Sequence, residues 1–217
     1  MKKILSVVIS LSLILGMVSV SFANENKNVN VQIIDGDEYA VKQIKLSDIP
    51  KNIIPIEVNS EADAIDIIEQ MSSHIDPVLS EDTHFEKSVL TPHSIMPQAI
   101  GTREVSAYKP ISSFTVYNPS TGKNQTIGIC NFKIYAGLTL DFGTSSAYIK
   151  SVDYKDCCLT GYTLGLGLSS TRVTSTVLGN QGLKLVARAN LDYYLLVDGL
   201  VKLYSKEISH TATWNRV

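Results

Sequence analysis

Apolar and polar residues alternate along the chain most strictly between Leu183 and Tyr193. Every second residue of this run is apolar or aromatic, and most of the residues between them are polar. A period of two places each set on one face of an extended strand. Shorter runs of the same kind, separated by turn residues such as Asp198 and Gly199, fill residues 104–217. This pattern predicts about eight strands in an antiparallel β-sandwich or barrel.

A small α/β segment over residues 24–75 precedes this domain. Residues 29–33 alternate between apolar and polar side chains ahead of an Asp-Gly turn, and they predict a strand that enters a hairpin. After Ser60, a helical spacing of apolar residues predicts a helix with a buried stripe of Ala64, Ile65, Ile68, Met71 and Ile75. Ser60 is expected to cap this helix, which is expected to end before Pro77. The stripe needs a surface to cover, so the segment is expected to dock on the larger domain or to stay loosely ordered.

Residues 76–103 show no clear hydrophobic period. Prolines at positions 77, 92 and 97 interrupt them, and polar residues dominate. They are predicted to form a linker between the α/β segment and the β domain.

The first residues have the organisation of a bacterial-type export signal. An apolar run from Ile4 to Val20 follows two lysines and leads into Ser21-Phe22-Ala23, which has the small-x-small pattern of a cleavage site. Residues 1–23 are therefore predicted to be a signal peptide that is removed after Ala23, and the mature protein is expected to be secreted. The alternative is an uncleaved membrane anchor, because the run approaches the length that spans a bilayer.

Charge is distributed unevenly between the two halves of the predicted mature chain. Residues 24–100 carry 5 basic and 14 acidic side chains, a net charge of −9, whereas residues 101–217 carry 12 basic and 7 acidic side chains, a net charge of +5. The positive β domain favours an anionic partner, such as a cell-wall polymer or a membrane surface. The acidic segment is expected to shield part of this positive charge.

All three cysteines lie in the C-terminal half of the chain. In an oxidising compartment Cys130 is predicted to pair with Cys157 or with Cys158. It is not expected to reach both, because neighbours on a strand point to opposite faces. The alternative is that all three are small buried thiols.

The sequence contains no recognisable catalytic, phosphate-binding or dinucleotide-binding motif. A nucleophilic pair formed by Cys157 or Cys158 with His210 has no evident third group to orient it. Histidines and carboxylates between residues 74 and 93 do not have the spacing of a metal site. The sequence therefore assigns no catalytic residue, no metal site and no cofactor, and it predicts no nucleic-acid partner.

Residues 161–169 form a strand candidate with a nearly bare face of glycine, threonine and serine. Glycine weakens a strand unless another group approaches its backbone closely. One interpretation is a shallow ligand groove that involves Tyr162, Gly165, Gly167, Tyr193 and Trp214. The other interpretation is that a neighbouring side chain fills the space. The Ser/Thr-rich residues 169–177 that follow are typical of a surface strand and also of the amphipathic hairpin of a pore-forming protein.

Together these patterns favour a secreted, non-enzymatic binding module that acts at the cell envelope or outside the cell. Aromatic residues in the β domain, whose rings can stack on sugar rings, add glycan to the candidate partners. A membrane-active β-protein and an enzyme of an unrecognised type are the alternatives.

The export signal predicts that protein recovered from the culture medium begins at Asn24. Mass spectrometry of the N-terminal peptide measures this directly. A chain that still begins at Met1 or Lys2 would show that the apolar run is an anchor.

Overall fold

The computed structural model describes residues 29–80, 83–85, 90–91, 100–142 and 146–217. The described part of the chain is mainly β, with 67% strand and one α-helix. The predicted signal peptide, its cleavage point and parts of the predicted linker lie outside the described residues.

The described elements alternate little between helix and strand. In chain order they are β1 (Asn30–Ile34), β2 (Asp37–Ile44), a short 3₁₀-helix (Leu46–Asp48), β3 (Ile56–Val58), α1 (Glu61–Ser80), β4 (His84–Phe85), β5 (Leu90–Thr91), β6 (Ile100–Ile111), β7 (Phe114–Asn118), β8 (Lys123–Ile127), β9 (Cys130–Phe142), β10 (Ala147–Gly161), β11 (Leu166–Leu178), β12 (Gly182–Val197) and β13 (Leu200–Trp214). In the sequence, strands therefore both precede and follow the single described α-helix.

These strands form two larger sheets and one separate hairpin. The first sheet has the order β1-β2-β13-β12-β11, and β3 pairs in parallel with the last residues of β12. The second sheet has the order β10-β9-β6-β4, with β5 also on β6, while β7 and β8 form the hairpin. All pairings except that of β3 are antiparallel within these sheets, and the sheets are not closed into a barrel. The prediction of an antiparallel β protein is confirmed, and the barrel alternative is not the arrangement observed.

One hydrophobic core joins both sheets and the helix. The helix is capped as predicted, because the Ser60 hydroxyl accepts a hydrogen bond of 3.1 Å from the Asp63 backbone N–H. Its fully buried residues are Ala64, Ile67, Ile68, Met71 and Ile75. The predicted stripe contained Ile65 in place of Ile67. Ile65 is only partly buried at the edge of this core.

The helix does not end before Pro77, so that prediction is wrong. It continues through the proline to Ser80. A proline at this position removes one helical N–H donor. The last turn is retained because Val78 and Leu79 pack on the core, and the Leu79 carbonyl accepts a hydrogen bond from the Lys109 ammonium. No helix among the described residues is long and apolar enough to cross a membrane.

The acidic N-terminal elements are part of the first sheet rather than a separate layer. β2 pairs with β13, and β3 pairs with β12. Two lysines of β13 bind acidic side chains from this region, since Lys202 lies 2.8 Å from Glu61 and Lys206 contacts both Asp37 and Asp76. The negative and positive halves of the sequence therefore meet through hydrogen-bonded strands and through direct ion pairs.

A buried histidine lies between the two sheets. His210 of β13 is 4% exposed, its ring centroid lies 5.7 Å from that of Phe132, and its Nε2 lies 3.5 Å from the Thr83 hydroxyl. Burial, together with the nearby Lys109 ammonium, lowers the pKa of His210 from 6.5 to about 4. The imidazole is therefore neutral in the folded protein at neutral pH.

This histidine predicts a loss of stability in mild acid. As pH falls from 6.5 towards 4, the unfolded chain protonates His210 while the folded chain does not, which removes roughly 3 kcal/mol of unfolding free energy. Denaturant unfolding at pH 7 and at pH 4 measures the loss. The His210→Gln variant, which has no ionisable ring, is expected to lose less between these two pH values. An equal loss in both proteins would contradict the assignment.

Candidate functional site

The structure fills the bare face of the predicted groove. A β-carbon at Gly167 would lie 2.6 Å from Cδ1 of Ile53 and 2.9 Å from the ring of Tyr194. A β-carbon at Gly165 would lie 2.9 Å from the side chain of Ile56. These glycines therefore allow neighbouring side chains to approach the backbone closely, and no open groove remains over them.

The aromatic residues of the predicted groove lie in three different places. Tyr193 is fully buried against the helix, with its hydroxyl 3.3 Å from that of Ser72. The Trp214 ring packs edge-on against Phe85 at the end of β13, with 5.3 Å between the ring centroids. Tyr162 is 56% exposed and lies beside Gly128. The structure thus does not bring Tyr162, Gly165, Gly167, Tyr193 and Trp214 together as one site.

The cysteines are free thiols. Cys130 lies opposite Gly161 in the β9–β10 pairing, whereas Cys157 lies opposite Ile134, four residues farther along. That offset corresponds to about 13 Å along the strands, beyond the range of about 7 Å that a disulfide can bridge. Cys158 lies opposite Lys133 on the other face of the sheet. The predicted disulfide from Cys130 to Cys157 or Cys158 is therefore not formed.

The chemistry of these thiols also opposes a nucleophilic role. Burial raises the pKa values of Cys130 and Cys157 to about 11. A thiol becomes a nucleophile by losing its proton, so both side chains remain unreactive at neutral pH.

Two of the metal-ligand candidates have other contacts. The His74 ring stacks on Phe114, with 4.7 Å between the ring centroids, and Asp76 binds Lys206 at 2.8 Å. Within the described ranges, no group of three or more histidine, cysteine or acidic side chains is placed to hold a metal ion. Several of the other candidates, His93 among them, lie outside those ranges.

A different surface has the geometry of a binding site, on the face of the second sheet that points away from the core. Glu104 of β6, Gly137 of β9 and Tyr154 of β10 lie side by side across three strands. A β-carbon at Gly137 would overlap the Tyr154 ring, so only glycine lets the ring lie across the middle strand. The Tyr154 hydroxyl donates a hydrogen bond of 2.7 Å to Oε2 of Glu104. The ring is therefore fixed by its close contact with Gly137 and by the hydrogen bond to Glu104, while the side chain remains 51% exposed.

Polar groups and a second aromatic ring surround this tyrosine. The Tyr135 ring meets it nearly edge-on, with 6.4 Å between the centroids. The Asp153 carboxylate accepts hydrogen bonds from the hydroxyls of Thr139 at 2.8 Å and Ser151 at 2.6 Å. The hydrogen bond to Glu104, together with burial, raises the pKa of Tyr154, so its hydroxyl stays protonated and keeps donating. We call the surface formed by Glu104, Tyr135, Gly137, Asp153 and Tyr154 the tyrosine platform.

Two β-bulges create this arrangement. The β9–β10 register shifts between Ile149 and Ser151 and again between Val152 and Tyr154. Each shift inserts one extra residue into β10 and reverses which face the following side chains occupy. Without the second bulge alone, Tyr154 would face the core. Without either bulge it would lie opposite Tyr135 instead of Gly137. Sequence alternation therefore missed the platform, although a glycine inside an otherwise apolar strand at Gly137 is a signal of close approach.

The filled groove predicts that Gly165→Val destabilises the protein. The added side chain would meet Ile56 and overpack the site. This is expected to lower the free energy of unfolding by about 1–3 kcal/mol. The backbone φ of +65° at this residue adds further strain for any residue with a β-carbon. Thermal or denaturant unfolding measures the change. An unchanged melting temperature would mean that the space is open after all.

Comparison with known proteins identifies no relative of this chain. No protein-family model matches the chain, and neither a curated protein nor a solved structure is significantly similar to it.

Proposed function

We propose that this chain is an exported, non-catalytic binding module with a β-sandwich architecture, and that its tyrosine platform binds the rings of a glycan at the cell envelope or outside the cell. The observation that carries the proposal is the Tyr154 ring, which is fixed across Gly137 and yet half-exposed. A core tyrosine would be covered, whereas this ring is held in place and still presents one face to solvent.

A fixed aromatic ring suits the apolar face of a sugar. Sugar rings present C–H groups on one side, and these pack against the face of an aromatic ring. Because Tyr154 is already held by Glu104 and Gly137, binding does not have to order it. Preorganisation of this kind reduces the entropic cost of association.

The rim of the platform can bind sugar hydroxyls. Carboxylate oxygens of Glu104 and Asp153 accept hydrogen bonds, and bonds to ionised acceptors are stronger than those between neutral groups. The hydroxyls of Thr139 and Ser151 donate to Asp153 and keep lone pairs that can accept hydrogen bonds from the ligand. A ring flanked by hydrogen-bonding groups matches a polyhydroxylated ligand.

The charge of this face favours a neutral sugar over an anionic one. The exposed acidic residues on or beside it are Glu104, Asp141, Asp153 and Asp156. Lys133 contributes a basic group on the same face. An acidic surface repels a polyanion, so the platform is a poor site for an anionic polymer.

Binding of the full-chain protein to a panel of neutral and charged oligosaccharides tests the proposal. The protein is expected to bind neutral members of the panel, and Tyr154→Ala is expected to lose at least about tenfold in affinity, which is about 1.4 kcal/mol. Tyr154→Phe keeps the ring and loses only the hydrogen bond to Glu104, so a smaller loss is expected. The matched control is Tyr117→Ala, which removes a tyrosine that is 49% exposed on β7, away from the platform.

The outcomes separate the proposal from its alternatives. Equal binding by Tyr154→Ala and wild-type protein at matched melting temperatures would refute the platform as the site. Leakage of vesicles without glycan binding would favour a membrane-active protein, and turnover of a panel member would favour an enzyme.

A further inference from the structure

A strained β-bulge interrupts β11 on the outer face of the first sheet. Ser169 lies opposite Asn190, and the next paired residue, Arg172, lies opposite Arg188. Between these pairs β11 has two residues where β12 has one. Ser170 within the bulge has a φ of 52°. This left-handed conformation is unfavourable for a residue with a β-carbon, and such strain concentrates at functional sites.

The bulge determines where Arg172 points. In an unbroken strand Thr171 would lie opposite Arg188, and Arg172 would lie opposite Ala187, which is buried in the core. The extra residue instead places Arg172 directly across from Arg188 on the outer face. Like charges that face each other across a strand pair destabilise a sheet. The protein thus places two arginines directly opposite each other at the cost of backbone strain and charge repulsion.

No carboxylate within the described residues neutralises this pair. The described ion pairs involve Lys202 and Lys206, and neither arginine takes part in one. Glu207 is on the same face opposite Asn190, diagonal to Arg188, and forms no ion pair with it. Both guanidinium groups are exposed to solvent and open to an anion from outside.

The surroundings of the pair are basic and rich in hydroxyl groups. Lys184 is exposed on the same face of β12, four residues from Arg188, or about 13 Å along the strand. Exposed hydroxyls flank these cations on β11 and β13, at Thr174, Thr176, Ser209, Thr211 and Thr213. We call this surface, with Arg172, Lys184 and Arg188, the arginine face. None of its side chains is aromatic.

We infer that the arginine face binds the phosphate groups of an extended polymer that carries a phosphate in each repeating unit and is not a nucleic acid. A guanidinium forms two parallel hydrogen bonds with a phosphate, and an anion between Arg172 and Arg188 would remove their repulsion. Cations and hydroxyls spaced along a flat sheet suit a repeating anionic chain rather than a single small ion. The absence of aromatic side chains from the face disfavours nucleic acid, whose bases stack on such rings. This site lies on a different sheet from the tyrosine platform, takes a ligand of different charge and does not depend on the glycan proposal.

Binding of the full-chain protein to inorganic polyphosphate across a salt series tests the inference. The double variant Arg172→Gln with Arg188→Gln is expected to lose at least about tenfold in affinity at low salt. For the double variant, the slope of log affinity against log salt concentration is expected to be shallower. The difference should correspond to the loss of about two phosphate contacts. The matched control is Lys123→Gln with Arg216→Gln, which changes the net charge equally at exposed positions outside the face, and it is expected to bind nearly as wild type.

Stability provides a second readout that does not depend on the ligand. Removal of the facing charges should leave the melting temperature unchanged or raise it, so weaker binding by the double variant cannot be attributed to unfolding. Polyphosphate should raise the melting temperature of the wild-type protein and not that of the double variant.

Three results would overturn the inference. The first is an equal loss of affinity in the double variant and its matched control, which would mean that net charge alone determines the affinity. The second is binding to vesicles of anionic phospholipid without binding to polyphosphate, which would indicate a membrane surface. The third is a clear preference for single-stranded DNA, which would indicate a nucleic-acid site.

Discussion

The register of β12 against its neighbours is the constraint on which the remaining structure depends. This strand pairs with β13 along nearly its whole length, and its other edge is shared by β11 and β3. Its odd-numbered side chains, such as Leu185 and Leu195, are buried in the core that the helix and the second sheet complete. A slip of one residue would exchange the two faces of the strand, expose these leucines and bury Arg188. The core and the outer surfaces are therefore fixed by the same pairing.

The N-terminal region decides which part of the outer surface remains available. Ile53 packs on Tyr194 and Leu203 outside the first sheet, with Ile44 and Ile49 beside them, and forms a second small core. Asp192, on the same face, is also fully buried, and burial raises its pKa although it accepts a hydrogen bond from Ser205. On the opposite face, Lys202 and Lys206 are engaged in ion pairs with acidic residues. The arginine face lies on the outer face of the first sheet, whereas Lys202 and Lys206 lie on the inner face, so the positive charge of the C-terminal half is not one continuous patch.

Sequence patterns predicted the parts of the fold that local rules control. The run from Leu183 predicted the start of β12 to within one residue, and Ser60 predicted the start of the helix. Three features depend on long-range packing that no local pattern contains: the helix through Pro77, the filling of the Gly167 face by Ile53 and the burial of both Tyr193 and Tyr194. The two candidate surfaces were hidden for a related reason. Bulges shift the register twice in β10 and once in β11, and their positions are visible only when the partner strand is known.

The proposed contact between a sugar ring and Tyr154 is most directly tested by an NMR titration of the full-chain protein with the tightest-binding neutral oligosaccharide. Stacking on a ring held by Gly137 and Glu104 predicts saturable shifts of the Tyr154 ring protons and of the Gly137 amide. It also predicts upfield shifts of the sugar C–H protons that lie over the ring. Saturable binding that shifts the signals of Tyr117 or Tyr162 and leaves Tyr154 and Gly137 unchanged would contradict the tyrosine platform as the binding site.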